Sequence, residues 1–198
     1  MDVLRVRAYV TYNRGAWEQA EHVLASLHGV ASKLGEKGIA SEAALDRGVA
    51  LKRLGRGTIG LQMIEDVVEA ARAQGDRGVV MEGLRRLALY AWEEGDIETC
   101  EHLASQGLLS GSGEALEHSR AGLLIVLTAV QAERGELTQA IAGLREAEAI
   151  FDRMSNKRAY CVVLCNMAEL LLCQGEIKEA MTSASAALTM STDIDFHV

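Results

Sequence analysis

Six residues, Gly55 to Gly60, match the GxGxxG spacing with which a glycine-rich loop approaches the pyrophosphate of a dinucleotide. Such a site also requires a β-strand before the loop and an acidic residue about twenty positions after it. The stretch that precedes the glycines, ALDRGVALKRL, is typical of a helix instead. We therefore interpret the glycines as turn and packing positions and predict no nucleotide or other cofactor.

The histidines and serines do not form a recognisable catalytic or metal-binding pattern. Glu21-His22 and Glu101-His102 are equivalent pairs eighty residues apart, but no HExxH motif and no third ligand at a suitable spacing accompany them. The serines beside a predicted turn lack a GxSxG motif or a nearby base; they are Ser110, Ser112 and Ser119. We predict no metal site, no catalytic residue and no enzymatic activity.

Charge and cysteine usage restrict the class of partner and the compartment. The net charge of −8 argues against direct nucleic-acid binding, which usually requires a basic surface. The four cysteines, predicted to be small buried thiols, form no CxxC pair; they are Cys100, Cys161, Cys165 and Cys173. No apolar segment follows Met1, and the longest uncharged run has only twelve residues, from Ala121 to Ala132. These features predict a cytoplasmic protein with no membrane partner.

The elements that position these residues repeat every forty residues. The chain of 198 residues contains 19 glycines and no proline. Five glycines recur at intervals of forty and are suited to end a helix, because glycine adopts positive φ without strain; they are Gly15, Gly55, Gly95, Gly135 and Gly175. Five residues after each glycine comes a small residue that allows two helices to cross closely: Ala20, Gly60, Cys100, Ala140 and Ala180. A second turn glycine, Gly35 or Gly75, follows the second helix in the first two copies. No segment has the alternating pattern of a strand.

This pattern of small residue, glycine, large apolar residue and alanine resembles the tetratricopeptide repeat (TPR), over about residues 2–190. The usual repeat has 34 residues. Forty is similar to the longer-helix variety found in maltose-regulon-type bacterial activators and kinesin light chains. The resemblance implies an all-α, right-handed superhelical solenoid of five antiparallel helix pairs. We therefore predict one domain over residues 1–198, with repeats at about 2–40, 41–80, 81–120, 121–160 and 161–190 and a tail at 191–198.

In proteins of this kind the first helix of each pair lines a concave groove that binds the partner. Carried over by position, the resemblance places eight candidate partner-binding residues in that groove: Arg5, Tyr9, Tyr12, Lys52, Arg53, Arg85, Leu89 and Trp92. Arginine and aromatic residues are enriched at binding hot spots, and arginine binds carboxylates bidentately. We therefore predict a scaffold or adaptor whose protein or peptide partner carries acidic and apolar side chains. Alternatively, the tyrosines and the tryptophan pack in the core and the basic residues are merely solvated.

The last two repeats differ from the first three. Their first helices are apolar on nearly all sides, and no polar capping helix follows them. We expect further repeats, self-association or a partner to cover this end. The alternative function that the resemblance implies is a ligand-sensing domain of a bacterial transcriptional regulator.

Overall fold

The computed structural model describes residues 1–193, which form ten α-helices and one short 310 helix. No β-strand occurs among these residues. The helices are α1 (Asp2–Asn13), α2 (Trp17–Leu34), α3 (Lys37–Arg53), α4 (Gly57–Gln74), α5 (Arg77–Glu93), α6 (Ile97–Leu109), α7 (Glu117–Glu133), α8 (Leu137–Arg153), α9 (Lys157–Gln174) and α10 (Ile177–Asp193); the 310 helix is Glu114–Leu116.

Seven of the turns between helices contain the predicted glycines. All seven turn glycines have positive φ, between 67° and 85°: Gly15, Gly35, Gly55, Gly75, Gly95, Gly135 and Gly175. At Gly35 the backbone bonds expected of such a helix end are present, since the amide of Glu36 donates to the carbonyl of Ala31 at 2.9 Å. Ser155, eighty residues after Gly75, has φ of 52° and occupies the same kind of turn without being a glycine.

The third helix pair departs from this regular pattern. Its second helix, α6, has only 13 residues, whereas α8 has 17. Ser110 ends α6, and its hydroxyl donates to the carbonyl of Gln106 at 2.7 Å. Gly113 then takes φ of 126° before the 310 helix. The serines and glycines of this segment shorten the helix, because they favour turn conformations over helix.

The chain divides into two compact units, Met1–Tyr90 (unit 1) and Ala91–Val198 (unit 2). In unit 1, α2 packs against α1 and α3, and α3 also packs against α4. In unit 2, each helix from α6 to α10 packs against the next. The division of the chain into one domain with five repeats stays a prediction. Of the predicted tail 191–198, residues 191–193 belong to α10, and residues 194–198 lie outside the described residues.

The small residues of the repeat lie where the helices cross. Ala20, Cys100 and Ala140 are fully buried, Ala180 is almost so, and Gly60 is buried as well. The core of unit 1 includes Leu24 and Leu27 of α2, and that of unit 2 includes Leu144 and Phe151 of α8. Residues 1–193 contain no helix long and apolar enough to cross a bilayer.

Candidate partner-binding site

A cleft of about 380 Å³ lies within unit 1 between α1 and α3 (the α1–α3 cleft). Its apolar lining is Val6, Ala8, Leu24, Leu27, Ile39 and Ala43, and its polar lining is Asp2, Arg5, Tyr9, Glu42 and Asp46. Leu24 and Leu27 are buried core residues of α2. The cleft is therefore an apolar depression with charged groups among its walls.

Arg5 and Tyr9 stand four residues apart on α1 and share one face of that helix. The side chain of Tyr9 is 65% exposed, and Arg5 is exposed as well. A large aromatic side chain that remains in water beside a cleft is available to a partner, because its ring offers contact area at a small cost in conformational entropy. These two predicted site residues are brought together on the cleft.

Tyr12, the next predicted residue on α1, has contacts inside unit 1. Its ring meets the ring of Trp17 edge to face, with centroids 5.4 Å apart and planes at 89°. Its hydroxyl lies close to the guanidinium of Arg86 of α5. Burial raises the pKa of Tyr12 above its ordinary value, and the positive charge of Arg86 offsets part of this rise. Tyr12 is therefore a packed residue at the edge of the core.

Arg86 is the centre of a buried ionic cluster that the sequence analysis missed. Its side chain is only 10% exposed, and Nη2 lies 2.8 Å from Asp46 Oδ1 and 3.0 Å from Glu82 Oε1. Its Nε has no hydrogen-bond partner within the described part of the chain. Burial by itself would lower the pKa of Arg86, but Asp46 and Glu82 hold it above the ordinary value, so the guanidinium stays charged.

The pKa of Asp46 is also above its ordinary value, but in this case burial is the main cause. Burial raises it above the ordinary value of 3.8, and the carboxylates of Glu42 and Glu82 raise it further. The charge of Arg86 lowers it, but one arginine shared between two carboxylates does not outweigh the loss of hydration. The α1–α3 cleft thus carries three carboxyl groups with Arg5 as its own cation.

A signal for these carboxylates exists in the sequence. Asp2, Glu42 and Glu82 follow one another at intervals of forty residues, and therefore occupy the same position on α1, α3 and α5. An acidic residue on a helix face carries no turn or packing signal, and this column therefore lay outside the predicted site. Its effect is that the first-helix face is less basic than the eight predicted residues suggest.

The remaining basic candidates in unit 1 have partners within that unit. Arg85 binds Glu82 through two atoms: Nε donates at 3.0 Å and Nη2 at 2.6 Å. Lys52 Nζ lies 3.9 Å from the centroid of the Tyr90 ring and donates to the Tyr90 carbonyl at 3.3 Å. Arg53, the last residue of α3, is exposed.

The two apolar candidates on α5 fall in different units. Leu89, in unit 1, and Trp92, in unit 2, are both half-buried. Of the eight predicted residues, Arg5 and Tyr9 line the α1–α3 cleft, and the other six lie outside its lining.

A larger cleft of about 690 Å³ lies on the other side of α3, between α2 and α4 (the α2–α4 cleft). One face of α4 lines it along most of the helix, through Ile59, Met63, Asp66 and Ala70 among others. The rest of its lining is His28 of α2 and four residues of α3: Ala40, Ser41, Ala44 and Arg47. No motif in the sequence marks the residues of this cleft, and it was not predicted.

The GxGxxG match, the candidate metal ligands and the cysteines can now be placed in the structure. Gly55 ends a turn after α3, Gly57 begins α4, and Gly60 packs against α3, so a helix occupies the place where a dinucleotide site needs a strand. Among residues 1–193 no group of three or more His, Cys, Asp or Glu side chains is arranged to hold a metal ion. Two of the predicted buried thiols, Cys100 and Cys161, are buried. Cys165 is half-buried, and Cys173, the second-last residue of α9, is exposed, so burial was wrongly predicted for these two.

No family model and no curated protein sequence matches the chain. Solved structures do match it. BtubC (BKLC) from P. vanneervenii has a TM-score of 0.70 at 14% identity, over 98% of this chain and 81% of that one. A kinesin light chain with nearly identical TPR-like repeats from Podosopora anserina has a TM-score of 0.59 at 15% identity, over 98% and 95%. A double mutant of MamA RS-1 has a TM-score of 0.57 at 12% identity, over 98% and 96%.

At these identities the similarity concerns the fold. The matches to these structures cover 98% of this chain. Within residues 1–193, helices joined by short turns follow one another throughout. The predicted resemblance to the tetratricopeptide repeat and the predicted all-α solenoid class are therefore confirmed. The chain has a TPR-like fold.

Proposed function

We propose that this chain is a non-enzymatic scaffold that binds a protein or peptide partner on the first-helix face of unit 1. The observation that carries the proposal is the exposed ring of Tyr9 next to Arg5 at the α1–α3 cleft. Tyrosine and arginine are the residue types that most often dominate binding energy at protein interfaces. The TPR-like fold supports a role as an interaction scaffold, because stacked helix pairs offer extended binding surfaces.

The lining of the cleft indicates how a partner is held. An apolar side chain enters between Val6 and Ile39 above the buried leucines of α2, where it leaves water. A carboxylate of the partner binds Arg5, the one cation of the lining, because the carboxyl groups of Asp2, Glu42 and Asp46 would repel it elsewhere in the cleft. Arg53, exposed at the end of α3, provides a second cation for an acidic partner.

The other predicted residues have indirect or separate roles in this proposal. Tyr12, Lys52 and Arg85 support the face through their internal contacts with Trp17, Tyr90 and Glu82. Leu89 adds apolar surface on unit 1, and Trp92 is a separate contact on unit 2. Direct binding energy is thus assigned mainly to Arg5 and Tyr9.

The test is selection of peptides from a random library, followed by affinity measurements with the double variant Arg5→Glu/Tyr9→Ala. We expect this variant to bind the selected peptides at least about tenfold more weakly, because it loses an aromatic anchor and reverses a charge. The matched control is Arg56→Glu/Leu34→Ala, which reverses a charge and truncates a large apolar side chain at exposed positions outside both clefts. Equal affinities of the two variants would refute the assignment of the cleft.

A specific observation also favours the second candidate, a ligand-sensing domain of a bacterial transcriptional regulator. The α2–α4 cleft of about 690 Å³ has the volume of a small-molecule site and a mixed lining that includes His28 and Asp66. Thermal unfolding in the presence of a metabolite library tests this function. Compounds that raise Tm for the wild type should lose the effect in Ala70→Trp, which fills the cleft; if no compound raises Tm, the ligand-sensing function is rejected.

We also propose a cytoplasmic location. The four cysteines are unpaired, and this is the usual state of thiols in a reducing compartment. Acid quenching of cells of the source organism, followed by denaturation with an alkylating reagent and mass analysis, should find all four thiols free.

A further inference from the structure

The outward side of α10 carries an apolar stripe exposed to solvent. Ile177, Met181, Ala184 and Leu188 follow the spacing i, i+4, i+7, i+11, which places them on one line along the helix. The three large residues are 60%, 64% and 66% exposed, and Ala184 is exposed too. Such a line of apolar side chains is typical of a helix face that another helix covers.

The repeat shows what covers this face elsewhere in the chain. At the same four positions of α2, α4, α6 and α8, no residue is exposed. The position of Ala184 is the most deeply buried of the four, with equivalents Leu24, Ile64, Ala104 and Leu144 at 1% exposure or less. Because α2 packs against α3, α6 against α7 and α8 against α9, the cover is the first helix of the following pair.

The opposite end of the chain carries the matching surface. Val3 of α1 is 80% exposed and Val10 is 38% exposed. The equivalents of Val3 are all buried against the helix that precedes them: Ala43, Gly83, Leu123 and Val163. The first three equivalents of Val10 are buried as well: Ala50, Tyr90 and Val130. Val3 and Val10 therefore form a face (the α1 outer face) whose equivalents in α3, α5 and α7 are buried.

Inside the chain, the positions equivalent to these two faces contact each other. Within unit 1, Val68 of α4 lies directly against Gly83 of α5, and these residues are the equivalents of Leu188 and Val3. Within unit 2, Leu123 of α7, the third equivalent of Val3, lies against Gly107 of α6, the equivalent of Ala187. The position of Val3 thus contacts the position of Leu188 in one helix step and the neighbouring position of Ala187 in another.

We propose that copies of this chain associate head to tail, with the α1 outer face of one copy seated on the apolar stripe of α10 in the next. The contact repeats the packing by which each internal second helix holds the first helix after it. The interface is heterologous, because it joins two different surfaces of identical chains. Each dimer therefore keeps one free surface of each kind, and further copies can add to it.

The charges around the interface indicate that it is apolar. In the internal steps, Arg47 binds Glu21 at 2.7 Å and Arg134 binds Glu101 at 2.7 Å. These arginines are the equivalents of Arg7 and Arg14, whereas the position of both glutamates is occupied by Met181 in α10. The carboxylate of the internal ion pair is thus absent from α10, and we expect association that does not depend on this pair to persist at high salt.

The experiment uses sedimentation velocity of the 198-residue chain over a range of concentrations, with the variants Val3→Glu and Leu188→Glu. Both side chains are exposed within one copy, so the variants are expected to fold, and far-UV circular dichroism checks that they do. Leu109→Glu is the matched control, because Leu109 is 87% exposed at the end of α6 and the charge change is the same. We expect the wild type and the control to form species that grow with concentration. Each test variant should associate at least about tenfold more weakly, because a glutamate would be buried without a partner.

Mixing the two test variants gives the decisive result. Val3→Glu retains an intact α10 stripe and Leu188→Glu retains an intact α1 outer face, so together they should form a 1:1 dimer that grows no further. A symmetric contact between two α10 helices would be lost in Leu188→Glu but retained in Val3→Glu, and this outcome would overturn the head-to-tail arrangement. A wild type that stays at 21.3 kDa at every concentration would overturn association itself.

Discussion

The hydroxyl of Tyr90 donates a hydrogen bond to the carbonyl oxygen of Gly48 at 2.9 Å, in the interior of unit 1. Gly60 of α4 lies against the same carbonyl, so α3, α4 and α5 meet at this point. A side chain on Gly48 or Gly60 would have no space there. The last glycine of the GxGxxG match is therefore required for the close approach of two helices.

Replacing Gly60 by alanine should destabilise unit 1 by about 1–3 kcal/mol, because the added Cβ would meet the Gly48 carbonyl and the Tyr90 hydroxyl. Urea unfolding followed by circular dichroism measures the change. The matched control is Gly57→Ala, at the first residue of α4, where nothing lies within 4 Å of the added Cβ. Alanine there should be neutral or stabilising by up to about 1 kcal/mol. Equal stabilities of the two variants would contradict this account of the crossing.

Removing Arg86 should cost far more stability than removing the neighbouring arginine. Arg86→Ala leaves Asp46 and Glu82 without their buried cation, and we expect a loss of about 3 kcal/mol in the free energy of unfolding. Arg85→Ala breaks a pair whose side chains are about a quarter exposed, and should cost at most about 1 kcal/mol. Chemical denaturation of both variants checks the difference, and similar losses would argue against the buried cluster.

The raised pKa of Asp46 predicts a dependence of stability on pH. Because the folded state holds the proton more tightly than the unfolded state, the stabilising contribution is complete below the ordinary value of 3.8 and is lost as the pH rises through the folded pKa. The free energy of unfolding of Asp46→Asn, subtracted from that of the wild type at each pH, should therefore fall across the window that begins at 3.8. A difference that stays constant, or that rises with pH, would show that the pKa of Asp46 is not raised.

The four thiols should react at very different rates. Cys173 is exposed and should react first with a thiol reagent, whereas Cys100 and Cys161 are buried and should react only on unfolding. Burial raises the pKa of the half-buried Cys165, so its thiolate fraction is small and its reaction slow. Ellman's reagent should thus titrate one fast thiol in the native chain and four in denaturant. Cys173→Ser should remove the fast phase; if the fast phase remained, another cysteine would be accessible.

The helix pairs were predictable because their determinants are local. A glycine with positive φ ends a helix wherever it stands, and the seven turn glycines have that conformation. The early end of α6 was harder to predict, since the interval of forty residues is maintained through the 310 helix while the helix itself stops at Leu109. Ser155 was unpredictable for another reason, because serine seldom adopts the left-handed conformation that it has here.

The sequence by itself determined the repeated helix pairs and the small residues at their crossings, because each of these depends on residue type at a fixed short spacing. Only the tertiary structure decided which charged groups remain available to a partner. Lys52 contacts Tyr90, which is 38 residues further along the chain, and Arg86 binds Asp46 on a different helix. These pairs depend on how the helices are rotated against one another. The same holds for Val3 and Leu188, whose types match buried positions of the repeat and which are exposed only because no helix of the described chain covers them.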